Sequence, residues 1–317
     1  MGIFNEQNTF ATSVYINSPI DEVHAYLMEL KNLNEWTLFS RMKEKIDAHT
    51  WKGTASGYHH DLYYHVREIK SETFKGIEWH CGLEYQNYYQ VYPVLLFPAS
   101  SMNPASRESG TYLHWISFVD PARRTAMIKE AIDVVHTSEC RSLKARLEQR
   151  NGQTQASIGQ MRVDSDTIYI DAPVSEVVKL IGDIRQFDKW AHLYKKSGAV
   201  TPERGEFTDE YGRNSVVSHK VHDVGLYSIV DQRCYYPEYN NTQHSLALVI
   251  PTSYALGNQT ARGCFHHRVT FWNQSEQSLL GRLVIEDFGA EAINIKRFAE
   301  AAAGNMSTFS LGISYKG

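Results

Sequence analysis

The sequence predicts an α+β protein in which one folding unit is written twice. Three observations carry that: a length of 317 residues, internal identity at a nearly constant shift, and the same order of strand and helix patterns in each half. At roughly 150 residues per domain, such a length accommodates two domains. Tyr15-Ile-Asn-Ser-Pro-Ile-Asp-Glu-Val lies over Tyr169-Ile-Asp-Ala-Pro-Val-Ser-Glu-Val at a shift of 154, and the match runs ungapped to Trp36 over Trp190. Tyr15, Ile16, Pro19, Glu22, Val23 and Trp36 are identical in the two copies. At a shift of 153, residues 94–118 lie over 247–271, again without a gap. Leu95, Pro98, Ser100, Gly110, His114 and Phe118 recur there as Leu248, Pro251, Ser253, Gly263, His267 and Phe271. Chance supplies about one or two identities per window. A period this long means whole domains rather than a solenoid. The expected division is a domain at 1–150, a linker at 151–164 and a domain at 165–317. The polar, Gln-rich stretch around Asn151-Gly152 reads as the linker.

Each half opens on a short alternating run, Thr9 to Asn17 or Asp166 to Asp171, which suits a strand. Pro19 and Pro173 then stand at the first turn of a helix, with Asn17, Ser18 and Asp171 as candidate caps. Val23, Tyr26, Leu27 and Leu30 follow at helical spacing, as do Val177, Leu180, Ile181 and Ile184. A second short helix ends near Trp36 and Trp190. Next comes a long region of Tyr, Val, Ile and Trp runs broken by Gly, Pro and Asn, read as four to six hairpin-linked strands. A long helix closes each half, from Asp120-Pro121 to about Arg150 and from about Ser275 to Met306.

Composition narrows the function classes. Net charge is −4, with 32 Lys+Arg against 36 Asp+Glu, so nucleic acid is not an expected partner. The N-terminus lacks a basic region followed by an apolar one, and no run reaches 18 apolar residues. The expectation is a cytoplasmic protein with no membrane insertion. Four cysteines without a C-x-x-C pair fit reduced thiols. At 12% aromatic, the chain has material for well-filled cores or for cavities lined to hold a flat apolar ligand. Fourteen histidines raise a metal site, yet His59/His60 and His266/His267 are adjacent and His219/His222 are three apart. On strands such pairs point to opposite faces. With no H-E-x-x-H, no phosphate-binding glycine loop and no G-x-S-x-G, neither metal nor cofactor is expected.

Strand, two helices, antiparallel sheet and long closing helix, with (Ser/Ala)-Pro-x-x-x-Val and a Trp ending the second helix, resemble the START/Bet v 1-like superfamily. This is also called SRPBCC or polyketide cyclase/dehydrase. The Gly110-Thr111 start of the last strand adds to the resemblance, whereas Cys264 stands where the first half has Thr111. The resemblance implies two tandem helix-grip domains, each a curved antiparallel sheet around a long C-terminal helix with an apolar cavity between. In tandem the pair is similar to the di-domain aromatase/cyclases of bacterial polyketide pathways. An acyl carrier protein or ketosynthase is the protein partner that this implies.

Alternation in the last strand divides Tyr112, His114, Ile116 and Phe118 from Thr111, Leu113, Trp115 and Ser117. The first set, with Phe265, His267, Val269 and Phe271, is apolar apart from its histidine and is expected to face the cavity. The other set in the second half, Cys264, His266, Arg268 and Thr270, is more polar. A histidine on an apolar wall has two readings: a neutral imidazole held by one hydrogen bond, or a general acid/base. His114, His267, Tyr112 and His219 are the candidate catalytic residues. Tyr64, Trp79, Tyr85, Tyr236 and Tyr254 are the candidate substrate contacts. Cys81 and Cys234 read as small buried hydrophobes, and Glu78/His80 and Asp231/Arg233 as solvent-facing. Arg107 and Arg262 precede the two repeated glycines as surface charges. The expected function is cofactor-independent cyclisation or dehydrative aromatisation of a poly-β-keto or alkylresorcinol-type intermediate. The alternative is a carrier for a lipid, isoprenoid or aromatic metabolite, which would use the same cavity.

Overall fold

A computed structural model describes residues 9–55, 60–102, 110–118, 126–150, 161–191, 193–210, 212–257, 259–273 and 280–305. His59, Arg107 and the Asp120-Pro121 helix start lie outside them. The first unit runs β1 (Thr9–Ile16), α1 (Ile20–Met28), α2 (Leu33–Trp36), β2 (Ser40–Lys45), β3 (Thr50–Ala55), β4 (Leu62–Ile69), β5 (Lys75–Gly82), β6 (Gln90–Pro98), α3 (Ala99–Met102), β7 (Thr111–Phe118) and α4 (Ala126–Arg150). The second repeats it: β8 (Met161–Ile170), α5 (Val174–Ile181), α6 (Phe187–Trp190), β9 (Tyr194–Val200), β10 (Arg204–Asp209), β11 (Asn214–Asp223), β12 (Ser228–Tyr236), β13 (Asn241–Pro251), α7 (Thr252–Ala255), β14 (Cys264–Asn273) and α8 (Leu280–Ala302). Each unit folds its seven strands into one antiparallel sheet, ordered β1-β7-β6-β5-β4-β3-β2 and β8-β14-β13-β12-β11-β10-β9. Both are helix-grip domains.

One face of each sheet holds its closing helix. Cys140, Leu143 and Leu147 of α4 join Val14, Ile77, Trp79, Cys81, Leu113 and Trp115 in one core. Ala292, Ile295 and Ala299 of α8 do the same against Ile168, Val217, Val230 and Cys234. The two helix triplets share the spacing i, i+3, i+7, which is one stripe of an α-helix. Each helix is bolted to the start of its own unit. Glu148 Oε1 accepts the backbone N–H of Asn17 at 2.8 Å, and Glu300 Oε1 that of Asp171 at 2.8 Å. Lys144 and Lys296, one turn earlier, hold these carboxylates. The residues at the cap positions of α1 and α5 are Pro19 and Pro173, which supply no side-chain cap, rather than the expected Asn17, Ser18 or Asp171; Ser18 Oγ donates to Glu22 Oε2 at 3.1 Å. That segment is fixed through its backbone by the closing helix instead.

The other faces of the two sheets pack against each other. A third core joins Tyr15, Leu95, Phe97, Tyr112, Ile116 and Phe118 to Ile229, Leu246, Leu248, Phe265, Val269 and Phe271. The layers are therefore helix, sheet, sheet, helix, related by an approximate twofold axis. Contacts cross that axis reciprocally, Tyr112 to Phe271 at 5.7 Å and Phe118 to Phe265 at 5.5 Å between ring centroids. This is the isologous pattern of a symmetric dimer, built within one chain.

The arrangement corrects two expectations about facing. Tyr112, His114 and His267 look into the inter-domain core, not into a cavity, and it is Leu113, Trp115, His266 and Arg268 that lie on the helix side. Apolar alternation reports burial without saying what covers the face, and here both faces are covered. Glu78, His80 and Asp231 are likewise buried rather than solvent-facing, because each domain covers that side of the other; Arg233 keeps part of its surface.

Candidate active site

The interiors beneath the two closing helices differ in chemistry. In the N-terminal domain, Trp36, Trp79 and Trp115 meet in pairs at 5.5–5.9 Å between ring centroids. His136 of α4 stacks on Trp115 at 4.2 Å, and its Nδ1 lies 3.0 Å from Ser117 Oγ. Burial lowers that imidazole to about 4, so it is neutral near pH 7. Trp79 and Tyr64 point inward here, Tyr64 donating to the Thr54 carbonyl at 3.2 Å. The lining is rich in aromatic rings, and the buried Glu139 of α4 accepts the backbone N–H groups of Leu38 and Phe39 at 2.7 and 3.3 Å.

In the C-terminal domain the equivalent wall is charged. Under the same shifts Thr12, Leu113 and Trp115 become Asp166, His266 and Arg268. Asp166 on β8 pairs with Arg268 on β14 and Ile168 with His266, which sets these side chains on one face. Arg268 Nη1 donates to Glu291 Oε2 of α8 at 2.5 Å, and its Nε lies 3.9 Å from Asp166 Oδ1. All three side chains are nearly fully buried. Burial raises the Asp166 carboxyl; Arg268 opposes this and Glu291 adds to it, and it titrates at about 6. Burial, then the neighbouring Arg268 and His267, lowers His266 to about 3, leaving it neutral. Asp166 Oδ2 and His266 Nδ1 have no hydrogen-bond partner among the described residues. Buried polar atoms in native folds are normally paired, which singles out these two on the charged wall.

Tyrosines extend the cluster. Tyr194 OH and Tyr236 OH lie 2.6 Å apart, and burial pushes both phenols well above their ordinary range. Glu291 acts electrostatically on Tyr194 and on Cys234, which places the pair near the Arg268–Glu291 ion pair. Burial raises the Cys234 thiol to about 11 and the Cys81 thiol to about 12, which removes them as thiolate nucleophiles near neutral pH. His219 also turns inward, stacked near Trp190 at 6.4 Å. Among the described residues no group of three or more His, Cys, Asp or Glu has metal-holding geometry.

The remaining candidates lie elsewhere. Tyr254 of α7 crosses the domain boundary and donates to Glu78 Oε1 at 2.5 Å, an oxygen shared with Arg67 and His80. Tyr85 is exposed and donates to Asp47 at 2.9 Å. Neither touches an interior chamber.

The family model described as Domain of unknown function (DUF8713) matches twice, over residues 5–156 and 163–308. The chain belongs to the DUF8713 family. No curated protein matches it. Among solved structures, the DUF8713 chain is similar to the di-domain ARO/CYC BexL from the BE-7585A biosynthetic pathway at 13% identity, over 93% of this chain and 98% of that one, with a TM-score of 0.32. It is similar to the di-domain ARO/CYC StfQ from the steffimycin biosynthetic pathway at 10% identity, over 93% and 99%, with a TM-score of 0.33. A conserved protein from Geobacillus kaustophilus matches at 14% identity over 45% of this chain and 95% of its own, with a TM-score of 0.33. Likeness this distant transfers no chemistry to the DUF8713 chain. Its site rests on its own residues.

Asp166, His266, Arg268, Glu291 and Tyr194 were not among the sequence candidates. A signal for three of them was present. Where two copies of one unit differ by replacing Thr, Leu and Trp with Asp, His and Arg on one face, the difference marks the specialised copy. Glu291 and Tyr194 carried no such mark, because only the fold brings α8 and β9 to that wall.

Proposed function

We propose that the C-terminal domain catalyses cofactor-independent acid–base chemistry on a polyketone, cyclising it or aromatising it with loss of water. The observation that carries this is Arg268 held between Asp166 and Glu291 in an enclosed interior, with polar atoms of Asp166 and His266 that have no hydrogen-bond partner among the described residues. A β-dicarbonyl compound has acidic α-hydrogens and oxygens that accept hydrogen bonds. Asp166, as carboxylate, takes an α-proton, and Arg268 stabilises the oxyanion of the resulting enolate. The enolate carbon then attacks a second carbonyl of the folded chain. Tyr194 and Tyr236 donate hydrogen bonds to carbonyl oxygens, and the protonated carboxyl returns its proton to the alkoxide that this attack creates; for loss of water the carboxylate then takes a second α-proton and passes it to the departing hydroxyl. A closed, dry chamber holds reactive carbons in register and keeps bulk water from competing. The sequence resemblance to polyketide cyclases supplies the substrate class.

The test is incubation with a ketosynthase-generated poly-β-ketone. The wild type is expected to redirect the product distribution toward one aromatic compound, and Arg268→Met to leave it at the spontaneous mixture. An unchanged distribution with wild-type protein would overturn the enzymatic reading. The carrier reading draws on the N-terminal domain, whose interior packs Trp36 and Trp115 against Trp79. It predicts ligand binding by both proteins with no product from either.

A further inference from the structure

The recurring histidines meet each other. His114 Nε2 and His267 Nε2 lie 2.9 Å apart across the approximate twofold axis, with rings 5.2 Å apart and nearly parallel. The far nitrogens are also engaged, His114 Nδ1 with Ser13 Oγ at 2.6 Å and His267 Nδ1 with Thr167 Oγ1 at 2.7 Å. Both imidazoles are about 1% exposed.

We propose that this pair is a proton-sensitive clasp between the two domains, closed when both imidazoles are neutral and opened by mild acid. The chain Ser13–His114–His267–Thr167 needs one proton between the facing Nε2 atoms, so one ring donates and the other accepts. A first added proton makes a buried imidazolium with no counter-charge. A second sets two N–H groups against each other at hydrogen-bond distance, and the contact cannot persist.

Among the described residues, the elements around the pair offer no compensating carboxylate. β1 presents Ser13, β8 Thr167, β6 Leu95 and β13 Leu248 in register with the histidines. The described interface also carries the phenols of Tyr15, Tyr112 and Tyr169, and burial raises that of Tyr169. Asp231 is taken by His244 at 2.7 Å, with Arg233 at 3.9 Å. At one edge Glu78 is bound by Arg67, His80 and Tyr254; Tyr227 lies beside them in the same cluster. At the other edge Glu72 holds Lys220, with His222 against Ser71 and Thr73. His266 points to the opposite face. Burial, with the partner imidazole adding for His114, lowers both groups far below an ordinary histidine, His267 to about 3. A histidine with a depressed folded pKa binds its proton more readily when released. Stability from the pair is therefore full above about 6.5 and is lost as pH falls below it.

The experiment follows inter-domain distance by fluorescence transfer between labels on the two domains of the full chain, from pH 7.5 to 4.5. Wild type is expected to separate within this range, before either domain loses its secondary structure. His114→Leu/His267→Leu is expected to stay closed to at least one pH unit lower. Equal midpoints for the two proteins would overturn the proposal, as would wild type that stays closed until it unfolds. Ring nitrogen chemical shifts in wild-type protein give a readout independent of the variant's folding. Both rings must stay neutral while closed and titrate together on opening, and an imidazolium in the closed state would overturn the clasp.

Discussion

Arg268 is the residue on which the proposed chemistry turns, and Asp166 sets its pH dependence. If Asp166 acts as base, kcat/KM rises with pH through about 6, where its carboxyl ionises. Asp166→Asn is expected to lower turnover by roughly 10²-fold or more, the usual contribution of a positioned base. The same substitution should raise thermal stability at pH 8. A raised carboxyl pKa means that the folded state holds its proton above the unfolded value of 3.8, so stability is lost as pH rises through about 6. Melting curves at pH 5 and pH 8 check this, and a variant less stable at pH 8 would make Asp166 a structural ion. His114 is a different case. Its recurrence in both halves invited a catalytic role, but its ring nitrogens bond Ser13 and its own counterpart. His114→Ala leaves His267 Nε2 unpaired in an apolar layer, which costs about 1–3 kcal/mol for the buried group. Denaturant titration is expected to show that loss with the C-terminal chamber still able to bind ligand.

At the level of elements, the closing helices work as bolted struts. Glu148 and Glu300 each reach the backbone N–H at the end of the first strand, and each is gripped by a lysine four residues earlier. Glu300→Gln keeps an acceptor oxygen but removes the charge that Lys296 pairs with, whereas Glu300→Ala orphans the Asp171 N–H. The expected order is a small loss for Gln and about 2 kcal/mol for Ala, typical of hydrogen bonds to charged groups. Hydrogen exchange at Asp171 separates the two, because only the Ala variant should expose that amide locally. Glycine placement belongs to this scale as well. Gly263 sits at φ +73°, and a Cβ at Gly110 would lie 2.3 Å from the Tyr15 hydroxyl. Tyr15 and Gly110 recur in the second copy as Tyr169 and Gly263, where the tyrosine again closes on the glycine.

At the level of the molecule, two sheets share one apolar layer and should unfold as one unit unless the layer is weakened. Leu95→Ala and Leu248→Ala, at equivalent places in that layer, are each expected to cost about 2–5 kcal/mol. Their double variant should fall short of additivity because the two side chains sit in one core. Calorimetry is expected to resolve two transitions in the double variant where wild type shows one. A second acid response lies well below that of the histidines. Burial pushes Glu78 up, but His80, Arg67 and Tyr254 outweigh it and hold the carboxyl at about 2. Its stabilisation is therefore complete above 4.5 and lost as pH falls toward 2. Glu78→Gln should remove that lower limb and leave the limb near pH 6 intact.

The duplication, the order of elements and the pairing of Trp36 with Trp190 were legible in the chain, because these are local patterns and self-comparisons. Of the candidates named from it, Trp79 and Tyr64 lie on the helix side of their sheet. Which buried face meets a helix and which meets the other domain was settled by the fold. Side-chain alternation on a strand separates two faces, but hydrophobicity records only removal from water, and here both faces are removed from it. Leu95, His114, Phe118 and Tyr15, each identical to its counterpart, all lie in the layer that crosses the approximate twofold axis. The charged chamber was hidden for the complementary reason. Asp166, Arg268 and Glu291 come from three separated segments, and distance in sequence carries no sign that β8, β14 and α8 converge.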